Sequence, residues 1–335
     1  MSTSSHISGI HEPNAVTALE RNLRERFGTR RAVCVSSATT GLMGVALALG
    51  LRGAEFLTTP YTYGATLAAW LALGNRPAFG DIELDSLGLC AHSVSKRRTS
   101  ATRAILAVDI YGYPSDSDAL RRAADDCGLW YVADAAQAFG ARRGGRPASS
   151  RADAVVLSFT TGKALDAGEG GAVLTDHDWL YERLVWYTQH PDRQKRELGL
   201  LTANEFAING HMHPAAARMA LRKFDAALRK VDTSRRHIER LHVAMAQTGL
   251  VEPPLWSATD SQPSFFRFVP AWRRRPAFEE LRNAFPRLRI APAPVRLLPE
   301  QGCFRAQYPN LLSERARYPE AVRQSKLRFS VETGG

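Results

Sequence analysis

The sequence predicts an α/β protein whose core is a mostly parallel, doubly wound sheet. Short apolar runs of strand length alternate along the chain with segments of helical length, which is typical of parallel strands joined by right-handed helical crossovers. The chain has 335 residues, of which 44% are hydrophobic, so it can form a large domain and a smaller one. Disordered and collagen-like classes are therefore excluded.

The first predicted helix has an apolar face formed by Val16, Leu19, Leu23 and Phe27. Their spacing of three or four residues is that of one side of an α-helix, and Asn14 is the predicted N-cap. The elements that follow are strands at 32–35, 55–58, 77–82, 105–108 and 129–133, with helices at 40–49, 65–73 and 116–127 between them.

A change of pattern near residue 235 divides the chain. Before it come strands at 154–157 and 172–174, a helix at 179–188, and a long helical pattern that begins near Ala216 and continues to Leu241. After it come predicted strands at 265–269, 288–292 and 327–331 and a short helix at 278–284. We therefore predict a large α/β domain over residues 1–234 and a small C-terminal α/β domain over residues 235–335, with the long helix as a bridge.

The net charge of +11 is compatible with nucleic-acid binding, with an anionic small substrate, or with an arginine-rich solvated surface. The arginines occur in small clusters without interleaved aromatic residues, and no nucleic-acid-binding module is recognisable. The solvated surface is the preferred interpretation, and a phosphorylated substrate is the functional alternative. We expect no nucleic-acid partner.

Cysteine usage and the N-terminal residues bear on the compartment. The four cysteines are scattered and form no CxxC pair, which is typical of reduced core residues. No apolar stretch approaches the roughly 20 residues that a membrane span needs. Residues 1–9 are polar and lack the basic and apolar regions of a signal peptide. We expect a cytoplasmic protein without a membrane partner.

The most informative motif is the loop 158–171, which contains Lys163 and the glycines 168, 170 and 171 between two buried-looking strands. A second polar group, Asp134, ends the preceding buried strand, where open α/β sheets bind ligands. A lysine amine can condense with the aldehyde of pyridoxal phosphate (PLP), and a carboxylate can keep the pyridine nitrogen protonated. Taken singly, a solvated lysine and a helix cap are the better interpretations. Taken together, the residues favour a PLP site.

The same segments resemble the PLP-dependent sugar aminotransferases of the DegT/StrS type. The resemblance lies in Asp-Ala-Ala-Gln-Ala from Asp134, in Ser158 and Phe159 before the lysine, and in the Gly-Gly turn after it. It extends from about the first helix to near the C-terminus. It implies the PLP-transferase type I fold, Lys163 and Asp134 as catalytic residues, and a closing C-terminal helix that is missing from this sequence.

The cofactor phosphate has a predicted site in the turn 36–41. Small hydroxylated residues where a helix begins make an anion site, although an ordinary helix cap is the alternative. The resemblance implies that Ala38 and Thr39 bind the phosphate, with Ala38 in place of the family's glycine. It also implies that Ser158 supplies a second hydroxyl.

The cofactor ring has two further predicted contacts. The resemblance makes Tyr63 the aromatic residue that stacks on the ring, with a core or interface tyrosine as the alternative. It places Gln137 near the ring hydroxyl, with a helix-surface glutamine as the alternative.

The segment 205–212 is similar to a family segment whose asparagine reaches the cofactor phosphate of the partner subunit in a homodimer. That residue is Asn209 here, so the resemblance implies shared active sites. The family's arginine two positions later is His211, which removes a permanent cation. His211 and His213 have no third ligand nearby in the sequence, so we predict no metal site.

The resemblance implies an aminotransferase that moves an amino group from glutamate or glutamine to a ketone of a sugar nucleotide or cyclitol. Secondary metabolism, including antibiotic biosynthesis, and surface-sugar biosynthesis are the expected contexts. A PLP-dependent dehydratase or cyclase on the same scaffold is one alternative. A catalytically idle PLP-binding regulator is another, because fold does not imply function.

Overall fold

A seven-stranded sheet lies at the centre of the part of the chain that the computed structural model describes, which comprises residues 13–309 and 318–332, with side chains from Ala15 onward. Its strands, named in chain order together with those of the smaller sheets, are β1 (Arg31–Val35), β2 (Glu55–Thr58), β3 (Arg76–Phe79), β4 (Thr102–Val108), β5 (Trp130–Asp134), β8 (Ala154–Ser158) and β9 (Gly171–Thr175). The strands of the smaller sheets are β6 (Arg142–Arg143), β7 (Arg146–Pro147), β10 (Ser261–Gln262), β11 (Arg289–Pro292) and β12 (Phe329–Glu332).

The strand order in the large sheet is β1-β9-β8-β5-β4-β2-β3. Five neighbouring strands, from β8 to β3, run parallel, whereas β9 is antiparallel to both β8 and β1. Strands β1 and β8 therefore point the same way on either side of β9. The carboxyl ends of β1, β2, β4, β5 and β8 all lie at one edge of the sheet.

Helices cover both faces of this sheet. In chain order, the helices of the described residues are α1 (Pro13–Phe27), α2 (Ala38–Ala48), α3 (Ala65–Ala72), α4 (Ala91–Arg97), α5 (Ser117–Cys127), α6 (Asp178–Thr188), α7 (Pro191–Leu198), α8 (Pro214–Gln247), α9 (Phe278–Ala284), α10 (Gly302–Gln307) and α11 (Pro319–Leu327).

Alternate residues of strand β4 pack into different apolar cores. Leu106 and Val108 lie in one core with residues of α2 and α3, whereas Ile105 and Ala107 lie in another with residues of α4 and α5. Successive side chains of a strand point to opposite faces, so this division shows that both faces are buried. The predicted doubly wound architecture is therefore confirmed.

The bounds of the predicted elements agree closely with the structure over the large sheet. The strand predicted at 55–58 and the helix predicted at 278–284 match β2 and α9 at both ends. Helix α1 begins at Pro13, so Asn14 lies inside it and does not precede it as a cap. The helices α4 and α7 were not predicted, because their short sequences are polar and lack a clear apolar face.

The strand predicted at 265–269 is wrong. Phe265 has a left-handed backbone with φ of 49°, which a strand residue does not adopt. The backbone of this segment bonds to a loop after β4: the Ser264 amide donates to the Gly112 carbonyl at 2.9 Å, and the Arg267 amide donates to the Tyr111 carbonyl at 3.2 Å. The segment is thereby held against the edge of the large sheet.

The predicted boundary between residues 234 and 235 falls inside helix α8, a single helix of 34 residues. The division into two domains therefore stays a prediction. The sequence-based expectation that the closing helix is missing concerns the chain after β12, where residues 333–335 lie outside the described residues, as do residues 1–12 at the other end. Among the helices described here, none has the length and apolar composition that crossing a membrane requires.

Candidate active site

The candidate site lies where β1, β8 and β5 end at the same edge of the sheet. Gly171, the first residue of β9, is paired with Val35 on one side and with Ser158 on the other. Strand β5 lies next to β8 and ends at Asp134. The turn that follows β1, the lysine loop that follows β8 and the carboxylate of Asp134 are thereby brought together.

The loop that carries Lys163 is fixed by its own backbone. The Phe159 amide donates to the Gly170 carbonyl at 2.8 Å, and the Thr161 amide donates to the Gly168 carbonyl at 2.9 Å. Gly168 and Gly170 have φ of 80° and 132°, values that residues other than glycine rarely adopt. The glycines predicted from the sequence are thus required by the turn that returns the chain to the sheet.

The amine of Lys163 lies over an aromatic ring. Its Nζ is 4.3 Å from the centroid of the Phe266 ring, which is half-buried. Burial lowers the pKa of Lys163, the charge of Asp134 opposes this, and the charge of Arg267 lowers it further. The neutral form of the amine, which is the nucleophilic form, is therefore more populated than for a lysine in water.

The carboxylate of Asp134 is 6% exposed. Its Oδ1 accepts a hydrogen bond from the Ala136 amide at 3.0 Å. Burial raises the pKa of Asp134, while bonds from the Thr66 hydroxyl and the Ala136 amide and the charge of Lys163 lower it. Desolvation is the largest of these effects, so the charged carboxylate is less stable here than in water. A cation bound beside it would stabilise the charged form.

A chain of threonine hydroxyls leads from Asp134 to the turn after β2. Thr66 and Thr62 are buried, and their hydroxyl oxygens are 3.1 Å apart. Tyr63 follows Thr62 and is 63% exposed, in contact with no other aromatic ring of the described chain. The predicted stacking residue is therefore at the correct edge and free to contact a ligand.

Helix α2 begins at the predicted phosphate site. The Ser37 hydroxyl caps the helix and accepts a bond from the Thr40 amide at 3.1 Å. Ala38 is half-buried and Thr39 is exposed in the first turn, where backbone N–H groups attract anions. The capping interpretation is thus confirmed for this turn, and the anion site stays a prediction.

Ser158 and Gln137 already have partners within the chain. The Ser158 hydroxyl is buried and donates to the Thr160 hydroxyl at 3.3 Å. The Gln137 Oε1 accepts a bond from the Tyr111 amide at 2.7 Å, and no described residue accepts from its Nε2. Gln137 therefore supports the backbone at Tyr111, and its amide nitrogen remains available for the predicted ring contact.

Asn209 is exposed and has a left-handed backbone with φ of 48°. Within its own chain the next residue contacts the end of β1, because the Ser36 amide donates to the Gly210 carbonyl at 2.7 Å. Val35 and His211 form an isolated antiparallel bridge beside this bond. The Asn209 segment thus lies against the turn 36–41 of the same chain, the predicted phosphate site, which is called the phosphate turn below. The role of Asn209 in a partner's site stays a prediction.

His211 does not replace the positive charge of the family's arginine. Burial lowers the pKa of His211, and the charges of His190, His213 and Arg193 lower it further. Its buried Nδ1 has no hydrogen-bond partner among the residues described. The ring is therefore neutral near pH 7. This agrees with the loss of a permanent cation that the sequence predicts.

Sequence reasoning missed Thr66, Phe266 and Arg267. Thr66 had a signal, because it is a hydroxyl residue in the first turn of a helix that follows a parallel strand. Phe266 and Arg267 had none, since they belong to no motif and lie about 100 residues from Lys163 along the chain.

A model of the DegT/DnrJ/EryC1/StrS aminotransferase family matches residues 7–313. The chain belongs to this family. Members of the DegT/DnrJ/EryC1/StrS family are aminotransferases that use PLP. The family resemblance, the PLP-transferase fold class and the cofactor predicted from the sequence are thereby confirmed.

Named relatives and solved structures are similar to this chain in sequence and in fold. A dTDP-3-amino-3,4,6-trideoxy-alpha-D-glucose transaminase of Streptomyces venezuelae is 40% identical over 169 residues, which are 50% of this chain and 45% of that protein. The structure of DesI in the presence of its TDP-sugar product has a TM-score of 0.77 at 29% identity and covers 96% of this chain and 80% of that chain.

An aminotransferase from Psychrobacter cryohalolentis has a TM-score of 0.81 at 20% identity, covers 95% of this chain and 86% of that chain, and shares the fold. In sequence, this chain spans about half the length of the curated relatives it matches.

The residues at the sheet edge fit PLP. The pKa of Asp134 is raised by burial although the charge of Lys163 opposes this, so a protonated pyridine nitrogen beside the carboxylate would stabilise its charged form further. The first turn of α2 and the hydroxyls of Thr39 and Ser158 have the chemistry of a phosphate site.

Replacing Gly171 by Ala should disturb this edge. A Cβ at Gly171 would lie 2.7 Å from the Leu157 carbonyl oxygen and 2.8 Å from the Ala38 amide nitrogen, both of which are backbone atoms. We expect the free energy of unfolding to fall by about 1–3 kcal/mol, as in overpacked cores, and PLP affinity to fall because the phosphate turn shifts. Urea unfolding and absorption titration with PLP measure the two effects.

Gly302→Ala is the matched control, because a Cβ at Gly302 would meet no atom within 4 Å. A Gly171→Ala variant with the stability and PLP affinity of this control would show that the edge tolerates a side chain.

Proposed function

We propose that this protein is a PLP-dependent aminotransferase that moves an amino group from glutamate or glutamine to a ketone of a sugar nucleotide or cyclitol. The observation that carries the proposal is the pair formed by Lys163 and Asp134, a half-buried amine and a buried carboxylate that interact electrostatically at neighbouring strand ends. The names of the Streptomyces venezuelae transaminase and of the DesI structure support a sugar carried on a nucleotide.

The role proposed for Lys163 follows from its protonation. When bound, PLP supplies an aldehyde that accepts an amine and a ring that takes up electrons from an adjacent carbanion. Because its pKa is lowered, the Nζ of Lys163 is available both to bond to a carbonyl carbon and to carry a proton between substrate atoms. The Phe266 ring shields this nitrogen from water.

The role proposed for Asp134 is to hold a proton on the ring nitrogen. A close opposite charge typically changes a pKa by about 1–3 units, or about 1.4–4 kcal/mol. The Ala136 amide and the Thr66 hydroxyl fix the direction of the carboxylate. Thr39 and Ser158 are the proposed phosphate contacts, Tyr63 is the proposed stacking residue, and Gln137 is proposed to lie at the ring hydroxyl.

The donor half-reaction tests the proposal. PLP-loaded protein, mixed with glutamate or glutamine and no acceptor, should convert its cofactor stoichiometrically to the amine form and release the corresponding 2-oxo acid. A stopped-flow absorption trace and a chromatographic assay of the acid measure the two products. D-Glutamate is a control for stereospecific binding.

Other outcomes would favour the alternatives. Protein that binds PLP but converts it with no common amino acid would support the idle regulator. Protein that consumes a sugar or amino-acid substrate without leaving the cofactor in its amine form would support the dehydratase or cyclase. Protein unable to bind PLP would overturn the whole proposal.

The proposal includes a homodimer with shared sites, in which Asn209 of one chain serves the cofactor phosphate held by the other. Support comes from the exposed apolar side chains of Leu201 and Phe206 in the same region, which are 96% and 95% exposed. Such side chains are more stable when a partner covers them. Asn209→Glu should be inactive, because a carboxylate about 4 Å from a phosphate costs about 4 kcal/mol at an effective dielectric constant near 20.

Mixing two inactive variants distinguishes the arrangements. A heterodimer of Lys163→Ala with Asn209→Glu has one intact site if Asn209 acts across the dimer, so activity should return to about half of wild type per dimer. If Asn209 acts within its own chain, where Gly210 contacts Ser36, each site retains one defect and the mixture stays inactive. That second result would overturn the shared site.

The remaining parts of the proposal concern setting and partners. We propose a cytoplasmic enzyme of secondary-metabolite, for example antibiotic, or surface-sugar biosynthesis. Its partners are an amino-acid donor and a small keto substrate, with neither nucleic acid nor membrane. Cell fractionation and metabolite analysis of a deletion strain test these points.

A further inference from the structure

Two basic side chains lie over one aromatic ring at the candidate site. The guanidinium carbon of Arg267 is 5.8 Å from the centroid of the Phe266 ring, and the Nζ of Lys163 is 4.3 Å from the same centroid. Among the residues described, Asp134 and Arg267 are the charged groups that act on Lys163. Arg267 is therefore the described cation whose charge acts on the amine of Lys163.

The guanidinium of Arg267 is exposed, and no described carboxylate forms an ion pair with it. Arg193 near the phosphate turn differs, because its Nη1 and Nη2 both bond to Glu20 at 2.9 and 3.0 Å. His211 is neutral near pH 7. The N–H donors of Arg267 are thus free to bind a ligand. Those of Arg193 already bond to Glu20, and His211 carries no charge.

The backbone of Arg267 is held in place although its side chain is exposed. Its amide donates to the Tyr111 carbonyl, and Tyr111 is itself fixed by the bond from its amide to Gln137 Oε1. The Ser264 hydroxyl donates to the Gln137 carbonyl at 3.1 Å. Gln137 follows Asp134 by three residues, so Arg267 is positioned by the same segment that carries the carboxylate.

We propose that Arg267 binds an anionic group of the substrate, a carboxylate or a phosphate, while the reacting atom lies at Lys163. This inference rests on the proposed aminotransferase function. A planar guanidinium binds either anion through two parallel hydrogen bonds. Phe266 fixes the distance between the anion site and the amine, because the side chains of Arg267 and Lys163 both pack on its ring. Arg267 would thus select substrates that carry a negative charge at a set distance from the amine or ketone.

Binding of two unreactive probes to PLP-loaded protein tests the inference. Glutarate represents the dicarboxylic amino donor, and uridine diphosphate represents the diphosphate of a sugar nucleotide. Arg267→Gln should weaken binding of at least one probe by about 10-fold to 100-fold, since a hydrogen bond to a charged group contributes about 1.5–3 kcal/mol. Calorimetric titration at two salt concentrations measures the dissociation constants.

Two variants control for charge and shape. Arg274→Gln removes an exposed arginine from the same region and should leave both dissociation constants unchanged. Arg267→Lys retains the charge without the planar fork and should restore part of the lost affinity. Weakened glutarate binding alone assigns Arg267 to the donor, weakened uridine diphosphate binding alone assigns it to the acceptor, and weakening of both assigns it to the two in turn.

The inference is overturned if Arg267→Gln binds both probes as Arg274→Gln does, or if the wild-type protein binds neither. Such a failure is distinguishable from a failure of the aminotransferase proposal. If only the inference about Arg267 fails, the wild-type protein still converts its cofactor with glutamate. If the aminotransferase proposal fails, the wild-type protein does not convert it.

Discussion

Lys163→Ala should lose the visible absorption that lysine-bound PLP gives, and turnover should fall by at least about 10⁴-fold. The amine at Phe266 is the one that the described structure holds beside Asp134, and both bonding and proton transfer depend on it. Absorption spectra and donor half-reaction rates of the purified variant measure the effect. PLP retained without a covalent bond would still be consistent with the proposal.

Lys223→Ala is the matched control for this variant. Lys223 lies beside the same loop, where its Nζ donates to the Asp166 carbonyl at 2.8 Å, but it is not among the groups that influence Lys163. It should keep the absorption band. If Lys163→Ala also kept the band and the turnover, the assignment of Lys163 would be wrong.

Asp134→Asn should retain PLP but transaminate about 10² to 10³-fold more slowly. The asparagine can still accept the bond from the Ala136 amide, so the fold is preserved, but it cannot stabilise a proton on the ring nitrogen. Single-turnover rates with glutamate measure the loss. Asp109→Asn is the matched control, because Asp109 is equally buried but bonds to the Ser115 amide and the Ser149 hydroxyl.

The same variant gives a stability test with a defined sign. Burial raises the pKa of Asp134 in the cofactor-free folded state, so burying the charged form costs stability at neutral pH, and the cost disappears as pH falls through the raised pKa towards 3.8. Cofactor-free Asp134→Asn should therefore be at least as stable as wild type at pH 7, with a difference that shrinks in acid. Thermal unfolding at several pH values measures it, and a variant less stable at pH 7 would assign Asp134 a structural role.

The sequence by itself determined the elements of the large sheet and the two residues at the centre of the site. Apolar periodicity is local, so β2 and β8 and the helices between the strands follow from it directly. Asp134 and Lys163 were predicted because Asp134 ends one buried strand and the loop of Lys163 follows another, and parallel strands end at one edge of a sheet. The resemblance to the family added Tyr63, Ser158 and Asn209, whose roles stay predictions.

The tertiary structure alone decided what surrounds those residues. Phe266 and Arg267 contact the site because their segment bonds to the loop at Tyr111, and this gives Phe265 a left-handed backbone where local pattern predicts a strand. The antiparallel insertion of β9 between β1 and β8, which brings the phosphate turn to the lysine loop, likewise depends on hydrogen bonds between distant strands. Local sequence carries no signal for such contacts, because their free energy arises only when the whole sheet and its covering helices have packed.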